Sequence, residues 1–179
     1  VQARMARDDG DVRRAVLMLE KDCFCVMDRI TLPTKGSVQI PWHLADDVVI
    51  SSAKAMDLNY STNGVLLSDS SDHAGLELCS GDHSISMGWK HSQPGRTRIV
   101  SGILDPSPQG WVTKGHRQRT PAPVVLHEFE VEQLVTLSWW APPGYIVRVV
   151  QSADAVFEID TNSGGKHCIR WDADEPSLS

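Results

Sequence analysis

The sequence predicts an all-β protein: an antiparallel β-sandwich of two sheets made from many short strands. Three observations carry this. Apolar residues come in short runs that alternate or fill both faces, as strand residues do. No segment sustains the 3.6-residue apolar spacing of an amphipathic helix. Thirteen Gly and ten Pro punctuate a chain that is only 41% hydrophobic, a balance that suits a turn-rich β protein. The 179 residues suffice for one domain with a real core. Residues 1–11 are polar and read as a linker or frayed entry, 12–171 as a single sandwich, and 172–179 as a loose tail.

Taken in order, residues 12–19 are apolar at nearly every position after Arg14, and Lys21-Asp22 supplies a tight break. In 23–30, Cys23, Cys25 and Met27 fall on one face and Phe24 and Val26 on the other, so this strand is covered on both sides. Leu17, Phe24 and Val26 are therefore predicted in the core, and Asp28-Arg29 marks where the strand leaves it. A turn and a third strand, 37–44, follow. Pro41 places that strand at an edge or a bulge, because proline donates no ladder hydrogen bond. Short strands are predicted at 48–50, 65–67, 76–79 and 83–87. After the irregular stretch 89–123, strands resume at 124–131, 134–140, 145–150, 155–159 and 166–171, with a turn at Glu132-Gln133. Trp139-Trp140 puts one indole on each face of its strand, one in the core and the other exposed or at an interface.

Composition excludes some functions. The net charge of −6 argues against non-specific nucleic-acid binding, which depends on cations neutralising phosphates. No run reaches the roughly 18 apolar residues of a membrane helix, and no apolar leader follows Val1. Cys23 and Cys25, one residue apart, are read as small buried apolar residues rather than a bridge. A metal pair at these thiols would need two more ligands, and only the isolated Cys79 and Cys168 remain. Disulfides from those two to the pair stay open.

The stretch 89–123 is the basic zone of this acidic chain. It holds Lys90, Arg96, Arg98, Lys114, Arg117 and Arg119 against a single acidic residue, Asp105. Only 99–104 and 111–112 are strand-like in it, and long irregular stretches of this kind are read as functional loops or disordered segments.

A family resemblance rests on residues 12–44. Arg14, Val16, Leu17 and Leu19, the Lys21-Asp22 break, Phe24, Val26, Asp28-Arg29 and then Trp42-His43-Leu44 resemble the start of the C-terminal β-sandwich in heparinase II/III-like polysaccharide lyases. Gly88-Trp89 is a weaker echo, and nothing beyond residue 140 matches as a motif. The resemblance implies a secreted or periplasmic lyase that cleaves uronate-containing polysaccharide by β-elimination. It also implies a larger N-terminal catalytic domain preceding Val1, and that domain would carry any metal. In the family, a Tyr, His and Asn set serves as base, acid and charge stabiliser. This chain has neither the His-Asn-Thr nor the Gly-His-x-His-x-Asp pattern, so no catalytic residue, metal ligand or cofactor is carried over. The isolated chain is expected to be inactive. Its expected role is to support the catalytic domain and one side of the cleft. The alternative is a stand-alone carbohydrate-binding or interaction sandwich.

Candidates for contact with an anionic polysaccharide remain. Trp42 offers a flat apolar face and His43 a neighbouring imidazole, the plain alternative being a core indole at a strand end. Trp89, Lys90, His91, Arg96 and Arg98 place an aromatic beside cations, and an Arg fork can grip a carboxylate or sulfate with two hydrogen bonds. His116, Arg117 and Arg119 belong to the same zone. The plain alternative there is a solvated charged loop.

Overall fold

The structure, a computed structural model, describes residues 2–7, 10–20, 22–54, 58–61, 64–67, 74–103, 109–115, 118–172 and 176–179. These residues contain strands and no helix. The strands are β1 (Gln2–Arg7), β2 (Gly10–Glu20), β3 (Cys23–His43), β4 (Val49–Lys54), β5 (Leu58–Ser61), β6 (Gly64–Leu67), β7 (Ala74–Ser80) and β8 (His83–His91). They continue with β9 (Arg96–Val100), β10 (Trp111–Gly115), β11 (Gln118–Pro121), β12 (Val124–Ala141), β13 (Ile146–Ala153), β14 (Val156–Thr161), β15 (Lys166–Trp171) and β16 (Pro176–Leu178). Every pairing is antiparallel, so the predicted all-β antiparallel class holds.

Two long strands organise the molecule. β3 and β12 pair along their whole lengths, from His43 with Val124 to Phe24 with Trp140. Each was expected as two strands with a turn between. The break signals are real but mark a shared irregularity. The register passes from Gly36–Val131 to Thr31–Gln133, leaving residues 32–35 of β3 opposite Glu132. A bulge of this kind bends both strands without ending the ladder.

The bend divides the large sheet into two wings. In the long wing, the second half of β12 lies between the first half of β3 and β8, giving the order β1-β2-β3-β12-β8-β7-β4. In the short wing, the first half of β12 lies between the second half of β3 and β9, which continues to β6 and β5. Rings of β8 touch rings of the first half of β12: Trp89 with His127 and His91 with Phe129, each at 4.8 Å. The wings are therefore folded face to face. The four-stranded sheet β13-β14-β15-β16 covers the other face of the long wing, making three layers.

Side-chain alternation supplies each layer with its core. Cys23, Cys25, Met27, Leu137 and Trp139 pack against Phe157, Ile159, Ile169 and Trp171 of the small sheet. Burying each of Phe157, Ile159 and Ile169 stabilises the fold by about 1.5–3 kcal/mol. Between the wings, Leu76, Leu78, Met87 and Trp89 meet Val125, while Ile30 and Leu134 meet Val38, Ile40 and Phe129. Val26 is in the core as expected, and Leu17 packs at the edge of the small-sheet core. Phe24 is only half-buried, because the short wing does not extend over it fully.

Local chemistry explains the turns. Asp22 adopts the left-handed φ of 64° that closes the β2–β3 hairpin, a conformation a short polar side chain tolerates. Pro41 sits where β3 has β12 on one side and no other described strand on its opposite side, as its missing N–H demands. At the start of β13, the Tyr145 hydroxyl donates to Glu20 of β2, whose other oxygen lies 3.1 Å from His167 Nε2 of β15. These bonds tie the small sheet to the long wing. Tyr145 is the main cause, with His167 second, of a Glu20 carboxyl held below its ordinary range.

Residues 2–7, expected in a linker, form β1 and pair with β2. Residues 176–178, expected in a loose tail, pair with β15.

Candidate functional site

The basic zone is not one long loop. β8 runs on to His91, and β9, β10 and β11 all lie within 89–123. Parity along β3, β8 and β9 distributes the seven predicted contact residues over opposite faces. Trp42 aligns with Val125 and Ile99, on the inner face of the short wing. His43 aligns with Val124 and Val100, Pro41 with Leu126 and Arg98, and Gln39 with Glu128 and Arg96, so His43, Arg96 and Arg98 share the outer face. On β8, Trp89 and His91 point between the wings, and Lys90 points the other way.

Trp89 is 1% exposed, so its ring is core and no sugar reaches it. His91 is packed edge-on against both His127 and Phe129. Trp42 is half-buried, with the Arg14 guanidinium 4.8 Å from its ring centroid and Trp140 edge-on at 4.6 Å. One face of Trp42 is thus already covered by a cation, and it is no open platform. On the outer face, Arg98 donates through Nε and Nη2 to the two Glu128 oxygens at 2.7 and 2.8 Å, and Gln39 Nε2 donates to the same carboxylate at 3.2 Å. Its fork is occupied. His43, Arg96 and Arg119 are exposed, and Lys114 is paired with Asp46. His116 and Arg117 lie outside the described residues.

Two features that sequence reasoning did not single out stand beside these. The first is a groove of about 560 Å³ between β2 and the returning half of β3, lined by Val12, Arg14, Asp28, Ile30, Leu32 and residues 37–41. Within it Arg14 donates through Nε and Nη2 to Asp28 at 2.6 and 2.9 Å, and this hydrogen bonding raises the guanidinium pKa. Asp28 is 2% exposed, so it does not mark the strand's exit from the core as expected but lies deep and needs its partner. The signal was present: Arg14 and Asp28 face each other across the β2–β3 hairpin, opposite charges at opposed positions. The second feature continues the groove along β2. Val16 and Met18 are 37% and 61% exposed beside half-buried Phe24, whose ring stacks on Trp140 at 4.9 Å. This is the strip of the long wing that the short wing leaves bare.

Among the described residues no three His, Cys, Asp or Glu side chains converge as a metal site. All four cysteines are free, with Cys23 and Cys25 fully buried. Burial raises the Cys23 pKa to about 11 and pushes Cys25 well above its ordinary value.

This geometry matches solved structures. A heparinase III with methylated lysines superposes with a TM-score of 0.54 at 12% identity, over 92% of this chain and 24% of that one. A mutant of the heparan sulfate lyase HepC from Pedobacter heparinus gives 0.51 at 13% identity, with the same 92% and 24% coverage. The chain shares its fold with part of heparinase III. It spans about a quarter of the length of these heparinase structures. No family model matches the chain, and no curated protein does. The heparinase-like fold answers the expectation raised by residues 12–44. At this identity the likeness concerns the fold alone.

Proposed function

We propose that this chain is the C-terminal β-sandwich domain of a polysaccharide lyase that cleaves uronate-containing polymer by β-elimination, in the periplasm or outside the cell. Its role is to support the catalytic domain and one side of the substrate cleft. The observation that carries this reading is the partly exposed apolar strip at Val16, Met18 and Phe24, continuous with the groove, on a fold that makes up a quarter of the heparinase structures. Soluble domains seldom leave such strips uncovered, and packing against a second domain is the usual reason. Contact with an anionic sugar falls to the outer face of the short wing. There Arg96 and His43 are exposed, and Arg98 can exchange Glu128 for a carboxylate or sulfate of the polymer.

The test is to express the whole open reading frame that encodes this chain and follow the absorbance of unsaturated uronate from alginate and several glycosaminoglycans. Activity that disappears when residues 10–171 are deleted supports the reading. Lyase activity in the purified chain alone, or an open reading frame with no catalytic domain, overturns it. Oligosaccharide affinity of Arg96→Ala/Arg98→Ala, measured at low salt and at about 1 M, where the Debye length is about 3 Å, tests the sugar contact separately. Unchanged low-salt affinity removes this face from the cleft.

A further inference from the structure

We propose that His91 and His127 form an acid-sensitive latch between the two wings, closed while both imidazoles are neutral and parted when they take up protons. The two come from opposite wings, His91 from β8 and His127 from the first half of β12, and their rings meet at 4.8 Å with an interplanar angle of 65°. Trp89 and Phe129 close the pair in. Among the described residues the pair has a single hydrogen bond, between His127 Nδ1 and the Thr97 hydroxyl at 2.8 Å. Both His91 nitrogens and His127 Nε2 are buried without a partner.

A neutral imidazole needs one donor and one acceptor partner, whereas an imidazolium carries two N–H donors and a charge. Among the described residues, no acidic side chain around the pair is free to hold that charge. Lys90, next to His91, points to the other face and opposes it with like charge. On the short wing, Arg96, Arg98 and Glu128 lie on the outer face, with Arg98 and Glu128 bound to each other. Thr136 faces His91 from β12 and Ile40 faces His127 from β3, both uncharged. Asp28 lies across Thr136 on the inner face, but its two oxygens are taken by Arg14. Two imidazolium rings in contact would also repel.

Burial, with Lys90 second, accordingly lowers the His91 pKa to about 3, and burial, with His91 second, puts His127 well below its ordinary value. A histidine whose pKa is depressed in the closed state contributes full stability above its free value of about 6.5, and that stability is lost as pH falls below it. Each such histidine lowers the closed-to-open ratio about tenfold per pH unit, and the two together about a hundredfold.

The experiment is hydrogen exchange of the full chain between pH 7 and 4, read as protection factors by segment. Protection in β8 and β9 is expected to fall about a hundredfold per pH unit below about pH 6, and about tenfold in His91→Phe or His127→Phe, with the small sheet unaffected. His43→Phe, at an exposed imidazole, should keep the steeper dependence. Equal loss of protection in β14 and β15 would mean global unfolding and would overturn the latch. So would an unchanged pH slope in both single variants. If the variants do not fold, NMR titration of the native imidazoles decides, because a value near 6.5 for either ring is incompatible with the proposal.

Discussion

The indole of Trp139 lies directly on the backbone of Gly88, its strand partner on β8. A Cβ added at Gly88 would stand 2.3 Å from Trp139 Cε2 and Cζ2. Gly88-Trp89 thus has a structural meaning on each side of the long wing: the glycine receives Trp139 from the small-sheet side, and Trp89 fills the core between the wings. Gly88→Ala is expected to destabilise the protein by about 1–3 kcal/mol, the usual penalty for overpacking a tight site. Urea midpoints at constant m-value measure it. A change within about 0.5 kcal/mol would mean that the indole moves aside freely.

The pairing of buried Asp28 with the partly exposed Arg14 gives a second expectation. Arg14→Met leaves the Asp28 carboxylate buried with neither of its two hydrogen bonds from Arg14, and is expected to lower stability by about 3–5 kcal/mol. Arg14→Met/Asp28→Leu removes both charges and should recover most of that loss, since apolar replacements of buried pairs are often neutral. A double mutant as unstable as the single would show that the loss comes from the Trp42 contact instead.

Two phenylalanines should respond unequally. Phe157 is fully buried between the long wing and the small sheet, and Phe157→Ala is expected to cost about 3–5 kcal/mol. Phe24 keeps one side open and retains chiefly its stack on Trp140. For Phe24→Ala about 1–2 kcal/mol is expected, mostly lost area and the ring pair. Thermal unfolding of the two variants side by side tests the order, and equal losses would mean that Phe24 is enclosed in solution.

Thiol chemistry offers a check without mutation. Cys79 and Cys168 are partly exposed, whereas Cys23 and Cys25 are fully buried with raised pKa values. Because the thiolate is the reactive form, a maleimide should label two thiols in the native chain at neutral pH and four after unfolding. Native labelling at Cys23 or Cys25 would place the small sheet in frequent motion away from β3.

Much of this fold was legible in the sequence because it is local. Period-two patterning placed Cys23, Cys25 and Met27 against one layer and Val26 against another, and Asp22 signalled its own turn. The union of two predicted strands into β3 was not legible. Residues 33–36, Pro-Thr-Lys-Gly, read as a turn, and only the pairings with β12 on either side, Gly36–Val131 and Thr31–Gln133, carry the strand past them. The site suffered in the same way. Trp89 looked like a loop aromatic because alternation faded at Met87, and its burial depends on a wing formed by β9 and β12. Arg98 looked available because its carboxylate, Glu128, lies outside the basic zone. His127 stood in plain sight within an apolar run, and an imidazole in a strand buried on both faces was the missed cue.

Because β12 belongs to both wings, the order of synthesis matters for this chain. β3 pairs only with β2 until β12, which ends at Ala141, has left the ribosome. At about 5–20 residues per second, the hundred-odd residues from Phe24 to its partner Trp140 take roughly 6–23 s to be made. Throughout that interval the nascent chain shows an unpaired edge of β3 and a two-faced apolar strand, a template for wrong pairing. Its central pairings join residues far apart in sequence, such as Phe24 with Trp140, and pairing of that kind slows folding. Production of the domain should therefore respond more to chaperone supply and to the rate of translation than a helical domain of equal size would.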